Sequence, residues 1–226
     1  MTRITFDGVS HSYGERSVLR DIRLDLTEHR IGVVGANGSG KSTLVRMING
    51  LITPTSGTVS VDGLNVARNA REVRRQVGFI FTNPDNQIVM PTVQEDVAFT
   101  LRRRGLTREQ VADRTAAALD RFGLTAHADH PAHRLSGGQK QLLALAAVLV
   151  AEPKIVVADE PTTLLDARNA RRITELLQEM SQQVIVVTHQ LELLAGFDRV
   201  VVIDEGEVAC DGSPDAALDS YRELLA

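Results

Sequence analysis

The segment Gly35-Ala36-Asn37-Gly38-Ser39-Gly40-Lys41-Ser42 fits the pattern G-x-x-x-x-G-K-[ST]. It follows the apolar run Ile31-Gly32-Val33-Val34 and precedes Thr43-Leu44-Val45-Arg46-Met47-Ile48, whose pattern is helical. A strand that turns through a glycine-rich loop into a helix is the setting this motif requires. The glycines let successive backbone N–H groups point inward, and the helix N-terminus adds its partial positive charge. Lys41 supplies a point charge for β- and γ-phosphates, and the Ser42 hydroxyl can ligate Mg²⁺. Residues Gly35 to Thr43 are therefore expected to bind a nucleoside triphosphate.

A strand feeding such a loop belongs in a parallel sheet, and the last third of the chain supplies one. Lys154-Ile155-Val156-Val157-Ala158 and Gln183-Val184-Ile185-Val186-Val187 are nearly continuous apolar runs, the pattern of parallel strands buried on both faces. The amphipathic stretch from Asp166 to Met180 lies between them, giving a βαβ unit and the doubly wound α/β class. A final strand, Arg199 to Ile203, ends at the turn Asp204-Glu205-Gly206. Asp159-Glu160 emerge at the end of the strand 155–158, where open parallel sheets bind their ligands. One carboxylate there can hold a magnesium shell and the other can orient or deprotonate an attacking water. Adjacent acids at a strand end also arise as a solvated turn.

The remainder has two textures. Residues 1 to about 82 read as short alternating strands, with turn signals at Asp7-Gly8, Tyr13-Gly14, Ser56-Gly57 and Asp62-Gly63. The stretch from Met1 to Asp7 reads as a strand and lacks a signal-peptide core, and Gly57 to Val61 reads as an edge or hairpin strand. From about 92 to 122, Val93, Val97 and Leu101, then Val111, Ala117, Ala118, Leu119 and Phe122, recur at helical spacing. Gly105 separates two helices there and Gly123 stops the second. Residues 124–135 read as a polar connection before a helix from Gly137 to Ala151.

Composition narrows the function. At 226 residues one domain is expected, and a net charge of −4 argues against broad nucleic-acid binding. The longest apolar candidate, Leu142 to Ala151, is too short to span a bilayer. Cys210 is the one cysteine, so no intrachain disulfide can form, which suits a soluble chain in a reducing cytoplasm. With aromatics at 4% and no tryptophan, the core must rest on Val, Leu, Ile and Ala.

With these residues in place the chain resembles the ABC-type ATPases. Leu135-Ser136-Gly137-Gly138-Gln139 matches that family's signature, and Glu160-Pro161-Thr162 continues the Walker B region as the family does. Asp166 fits the end of its D-loop, His189 falls at the switch-histidine position, and Tyr13 fits the aromatic that stacks on adenine, though it could be a plain strand residue. The motifs run in family order from Tyr13 to His189. The resemblance implies a P-loop core sheet, an antiparallel β subdomain and an inserted helical subdomain. The core would comprise residues 1–82 and 151–226, and the helical subdomain about 83–150. It implies ATP and Mg²⁺ as cofactors, Ser42 and Asp159 toward the metal, Glu160 as catalytic base, and His189 on the γ-phosphate and attacking water. Ser136 and the N–H groups of Gly137 and Gly138 open a helix, a second anion-binding end. In the family this end caps the ATP of a second copy in a head-to-tail sandwich dimer.

Asn83-Pro84-Asp85-Asn86-Gln87 and Pro91-Thr92-Val93-Gln94-Glu95-Asp96-Val97-Ala98-Phe99 resemble the ATPase subunits of energy-coupling-factor importers. These take up vitamins or transition-metal ions through a transmembrane coupling protein and a membrane substrate-binding protein. The length and the string Thr162-Thr163-Leu164-Leu165-Asp166 resemble the shorter, biotin-type subunit, with cobalt or nickel uptake as the rival. A peripheral place on the cytoplasmic face of the membrane, and no nucleic-acid partner, follow from this resemblance. A soluble iron–sulfur-assembly ATPase has a similar length, and the Asn83 to Gln87 string argues against it.

Two departures stand out. Thr82 occupies the position where most of the family has a glutamine that touches magnesium and relays contact with the membrane partner. Either its shorter hydroxyl weakens that link, with Gln87 partly substituting, or Thr82 simply suits a strand end. Leu142 stands where arginine often follows the signature, so a surface pair is expected to be lost. His127, His130 and His133 with Asp129 do not have structural-zinc spacing and read as a solvated linker. Arg102-Arg103-Arg104 read as a solvated helix end favoured by the dipole.

Overall fold

The computed structural model describes residues 2–102 and 104–224. Met1 of the N-terminal strand reading and Arg103 of the basic run lie outside the described residues. The chain begins with β1 (Ile4–Tyr13), β2 (Arg16–Leu26) and β3 (Arg30–Val34), then α1 (Lys41–Met47), β4 (Ser56–Val61), β5 (Leu64–Asn65), α2 (Ala70–Gln76) and β6 (Val77–Ile80). Three helices follow: α3 (Val93–Thr100), α4 (Arg108–Arg121) and α5 (Gly137–Leu149). The chain closes with β7 (Ile155–Asp159), α6 (Ala167–Gln178), β8 (Gln183–Val187), β9 (Arg199–Asp204), β10 (Glu207–Gly212) and α7 (Pro214–Leu224).

The strands form two sheets. One has the order β10-β9-β3-β8-β7-β6, parallel except for the antiparallel β10 at its edge. The other is antiparallel, in the order β2-β1-β4-β5. All five residues of β3, β7 and β8 are buried, which explains the unbroken apolar runs. Strand periodicity then divides the core. Val156, Ala158, Val184, Val186, Val200 and Val202 face a cluster with residues of α3 to α7. Ile155, Val157, Ile185, Val187, Val201 and Ile203 face α1 and the antiparallel sheet, including Phe6, Ile22 and Val59. Both expected sheets are therefore present, with the antiparallel sheet and α1 on one face of the parallel sheet and α3 to α7 on the other.

The helices between β6 and β7 carry their own start signals. Thr92 with Glu95, Thr107 with Gln110 and Ser136 with Gln139 each form a reciprocal capping box, satisfying backbone N–H groups that the first turn leaves free.

The structure corrects several readings. Asp7-Gly8 is a bulge inside β1, where the register shifts between Phe6 and Val9 and Gly8 has φ 60°. Ser56-Gly57 lies inside β4, and Asp62-Gly63 makes the true turn, into β5. The strand at 199–203 is not the last element, because β10 and α7 follow; the alternating exposure of β10 is that of an edge strand. Residues 124–135 hold two single 3₁₀ turns, Thr125–His127 and Ala132–Arg134, with Leu124, Ala132 and Leu135 buried. Leu142 is buried within the helical cluster, so no surface pair is lost there.

Gly57 crosses Gly8 at close quarters: a Cβ on Gly57 would lie 2.2 Å from the Gly8 carbonyl oxygen, and its φ is 78°. Gly57→Ala should therefore cost about 1–3 kcal/mol of folding free energy, measured as a lower urea midpoint. An unchanged midpoint would contradict this backbone contact.

Candidate nucleotide-binding site

The strands β3, β7, β8 and β6 all end at the same edge of the parallel sheet, so their C-terminal residues converge. β3 runs into the glycine loop. Gly35 passes so close to β9 that a Cβ would lie 2.0 Å from the Ile203 carbonyl oxygen. Gly40 caps α1 at φ 108°, against Leu19 and the Val18 carbonyl. Lys41, buried at the first position of α1, donates from Nζ to the Gly35 and Ala36 carbonyls at 2.8 and 2.9 Å. Burial pushes its pKa down, opposed by the nearby carboxylates of Glu160 and Asp159.

A cavity of about 320 Å³ opens over this loop. Tyr13, Asn37, Gly38, Gly40, Lys41, Ser42, Thr43 and Glu160 all line it. Gly35, Ala36 and Ser39 form the rest of the loop, with the Ser39 hydroxyl buried and unpartnered. Arg16 and Val18 line the cavity too and were not found by sequence reasoning. Their signal is faint, since only the Tyr13-Gly14 turn, which folds the start of β2 back beside β1, brings them there.

Asp159, fully buried at the end of β7, is held at all three of its oxygens. Its Oδ1 accepts from Ser42 Oγ at 2.8 Å, its Oδ2 from Arg46 Nη2 at 2.9 Å, and its backbone carbonyl from Thr82 Oγ1 at 2.7 Å. The paired hydroxyl and carboxylate of Ser42 and Asp159 are hard oxygen donors beside a phosphate loop, and they fit Mg²⁺.

Glu160 follows with φ 52°, its N–H donating to the Val187 carbonyl of β8. This sparsely populated conformation turns its side chain out over the cavity. Its Oε2 lies 2.7 Å from His189 Nδ1 and accepts from Thr163 Oγ1 at 2.9 Å. The expected Glu160 and His189 are thus a hydrogen-bonded pair, brought together by the neighbouring strands β7 and β8.

Other expected residues sit elsewhere. Thr82 spends its hydroxyl on the Asp159 carbonyl. Gln87 does not reach Asp159's carboxylate in its place: it accepts from the Phe81 N–H and donates to the Ala144 carbonyl, tying the end of β6 to α5. Ser136, Gly137, Gly138 and Gln139 begin α5, and none of them lines the cavity. Asp166 caps α6, and its bonds from the Asn169 N–H and amide hold its carboxyl below the usual range. Asn169 also packs on the signature, since a Cβ on Gly138 would lie 2.5 Å from its side chain. Asn169 therefore joins Asp166 to α5, which its sequence position does not announce.

The histidine segment is not a free linker. His127 Nε2 meets the Gln139 amide at 3.0 Å, and His127 Nδ1 meets His130 Nδ1 at 3.0 Å. Among the described residues, no three His, Cys, Asp or Glu side chains converge as a metal site. Arg102 stacks on Phe99 at 5.0 Å, and Arg104 donates to the Ala151 carbonyl, so these arginines hold local contacts rather than a bare helix end.

A phosphate loop opening a helix, with a carboxylate and a Glu–His pair on adjoining parallel strands, defines a P-loop nucleoside triphosphatase. The sequence pattern of the ABC transporter family matches residues 19–163. A Bartonella quintana chain named as an ABC transporter ATP-binding protein is 52% identical over 223 residues, covering 99% of each chain. The biotin transport ATP-binding protein BioM of Rhizobium etli is 45% identical, also covering 99% of each. The structure of cbiO1 from Clostridium perfringens, described as part of the ABC transporter complex cbiONQ, superposes with a TM-score of 0.84 at 31% identity. It covers 98% of this chain and 92% of that one. The chain belongs to the ABC transporter family and is an ATPase of that family.

Thr82→Val keeps the shape of the side chain and removes its bond to the Asp159 carbonyl. It should lower folding free energy by about 1–2 kcal/mol, read from urea unfolding. No loss would show that this hydroxyl contributes nothing to holding the end of β7.

Proposed function

We propose that this chain is the ATP-hydrolysing subunit of an energy-coupling-factor importer whose cargo is biotin. The hydrolytic part rests above all on the Glu160–His189 contact of 2.7 Å beside the phosphate loop. Tyr13 stacks on adenine, and the N–H groups of the loop Gly35-Ala36-Asn37-Gly38-Ser39-Gly40 with Lys41, Ser42 and Thr43 hold the phosphates. Glu160 takes the proton of the attacking water, and His189 orients Glu160 through Nδ1 while facing the γ-phosphate. Ser42 and Asp159 would hold Mg²⁺, which would supply positive charge against the phosphate oxygens.

The separation of the signature from the cavity supports a two-chain site. The Ser136 hydroxyl and the backbone N–H groups of Gly137 and Gly138 stand at the start of α5 and meet no phosphate loop of their own chain. In the proposed head-to-tail pair, each signature with its Gln139 and each Asp166 loop closes on the other copy's nucleotide. Residues 83–150 act as the helical subdomain that carries the signature. Val89 and Phe99, 63% and 42% exposed, flank a groove beside Gln87 and face a transmembrane coupling protein. No helix of the described residues is long and apolar enough to cross a membrane, so a partner would supply the span and this subunit would sit peripherally on the cytoplasmic face. The biotin assignment rests on the 45% identity to BioM over 99% of both chains.

Glu160→Gln should reduce ATP turnover by roughly 10²–10⁴-fold while nucleotide binding persists; hydrolysis at the wild-type rate would refute Glu160 as the base. The chain isolated from detergent-solubilised membranes should bring down a transmembrane coupling protein and a small membrane protein that binds biotin. Recovery without membrane partners would overturn the importer reading, and a partner that binds another compound would overturn the cargo.

A further inference from the structure

The hydrolytic reading gives no part to Arg46 or Thr82, and of these two it is Arg46 that reaches the Asp159 carboxylate. Arg46 lies on α1 four positions beyond Ser42, so the two project side by side from one helix face. Its backbone is fixed, because the N–H groups of Leu51 and Ile52 both donate to its carbonyl. Its guanidinium reaches Asp159 Oδ2 at 2.9 Å in a charge-assisted bond, while Ser42 holds Oδ1. The Arg46 Nε is buried without a partner, which leaves Nη2 as the atom directed at the carboxylate. Thr82 anchors the same residue by its backbone carbonyl, so the carboxylate is restrained from a third side.

We propose that Arg46 is a specificity-determining positioning residue for the cation at this site: by engaging Oδ2 it leaves Oδ1, the oxygen beside the Ser42 hydroxyl, as the one carboxylate oxygen Asp159 can turn to a cation, which selects Mg²⁺ over Ca²⁺. The physical ground is the difference between the two ions. Ca²⁺ takes about six to eight oxygens at flexible geometry and commonly uses both oxygens of a carboxylate, whereas Mg²⁺ demands a near-octahedral shell and retains waters. A carboxylate with one oxygen committed to a guanidinium suits the second ion and handicaps the first. Arg46 also offsets the charge of a carboxylate with no solvent exposure, a structural role that by itself predicts no change in the preference between ions.

The inference rests on the nucleotide-site reading, and the test separates the two. The full chain is titrated with a fluorescent ATP analogue in EDTA, in Mg²⁺ and in Ca²⁺, with thermal unfolding followed in parallel. In the wild type, Mg²⁺ should strengthen binding at lower concentration than Ca²⁺. In Arg46→Met the ratio of half-saturating Ca²⁺ to Mg²⁺ should fall by about tenfold, while Arg46→Lys, which keeps a cation toward Oδ2, should hold it within about threefold. A ratio within about twofold of wild type in Arg46→Met would overturn the proposal, whatever happens to stability. Arg46→Gln is read on the same ratio if the methionine variant does not fold. Wild-type chain that binds no nucleotide would overturn the site reading, and the inference with it. Nucleotide binding that responds to neither ion would overturn the inference alone.

Discussion

Burial of the parallel sheet on both faces is the constraint on which the other features depend. β3, β7 and β8 are buried along their whole length, so their residues are apolar on either side except for Arg30, Asp159 and Gln183 at strand ends. One set packs on α1 and the antiparallel sheet and the other on helices α3 to α7. Because the strands run parallel, their polar ends collect at one edge. The phosphate loop leaves β3, Asp159-Glu160 leave β7, Thr188-His189 leave β8 and Thr82 follows β6. A site assembled on strand ends inherits the rigidity of the core beneath it.

At that edge, electrostatics and backbone strain set the arrangement. A carboxylate without solvent exposure is costly unless its lone pairs are satisfied. Asp159 meets this with Ser42 and Arg46 from a single helix and with Thr82 on its carbonyl. Glu160 is held at positive φ by the ladder bond to Val187 and so projects away from its neighbour. Two adjacent acids thereby point into different surroundings, one buried and ion-paired, the other turned toward His189 and the cavity.

The signature helix α5 answers to a different set of contacts. Ser136 and Gln139 cap it, His127 bonds the Gln139 amide, and Asn169 fills the space left by Gly138. Asn169 bonds Asp166 as well, so the starts of α5 and α6 form one surface, apart from the cavity of the same chain. In the proposed dimer this surface meets the other copy's nucleotide, and the Asn169 contact would let the two helix starts move as one.

Much of this was determined by local sequence. Gly35 to Ser42, the apolar runs and the Ser136-x-x-Gln139 cap each specify a local geometry with few alternatives, because glycine conformation, strand periodicity and end-capping act over a few residues. The strand and helix order was legible for the same reason, except for α2, which lies in the stretch read as strands, and for the edge strand β10 and helix α7. Tertiary structure decided what required distant groups to meet. It made Gly8 and Gly57 a bulge crossing instead of two turns, since Gly57 passes too close to the Gly8 carbonyl to carry a side chain. It committed the Thr82 hydroxyl to Asp159, sent Gln87 to α5, and placed Arg16 beside the phosphate loop. It also gave Asp159 its arginine, and no spacing rule within the strand could reveal that pairing, because the partner lies across the sheet on α1.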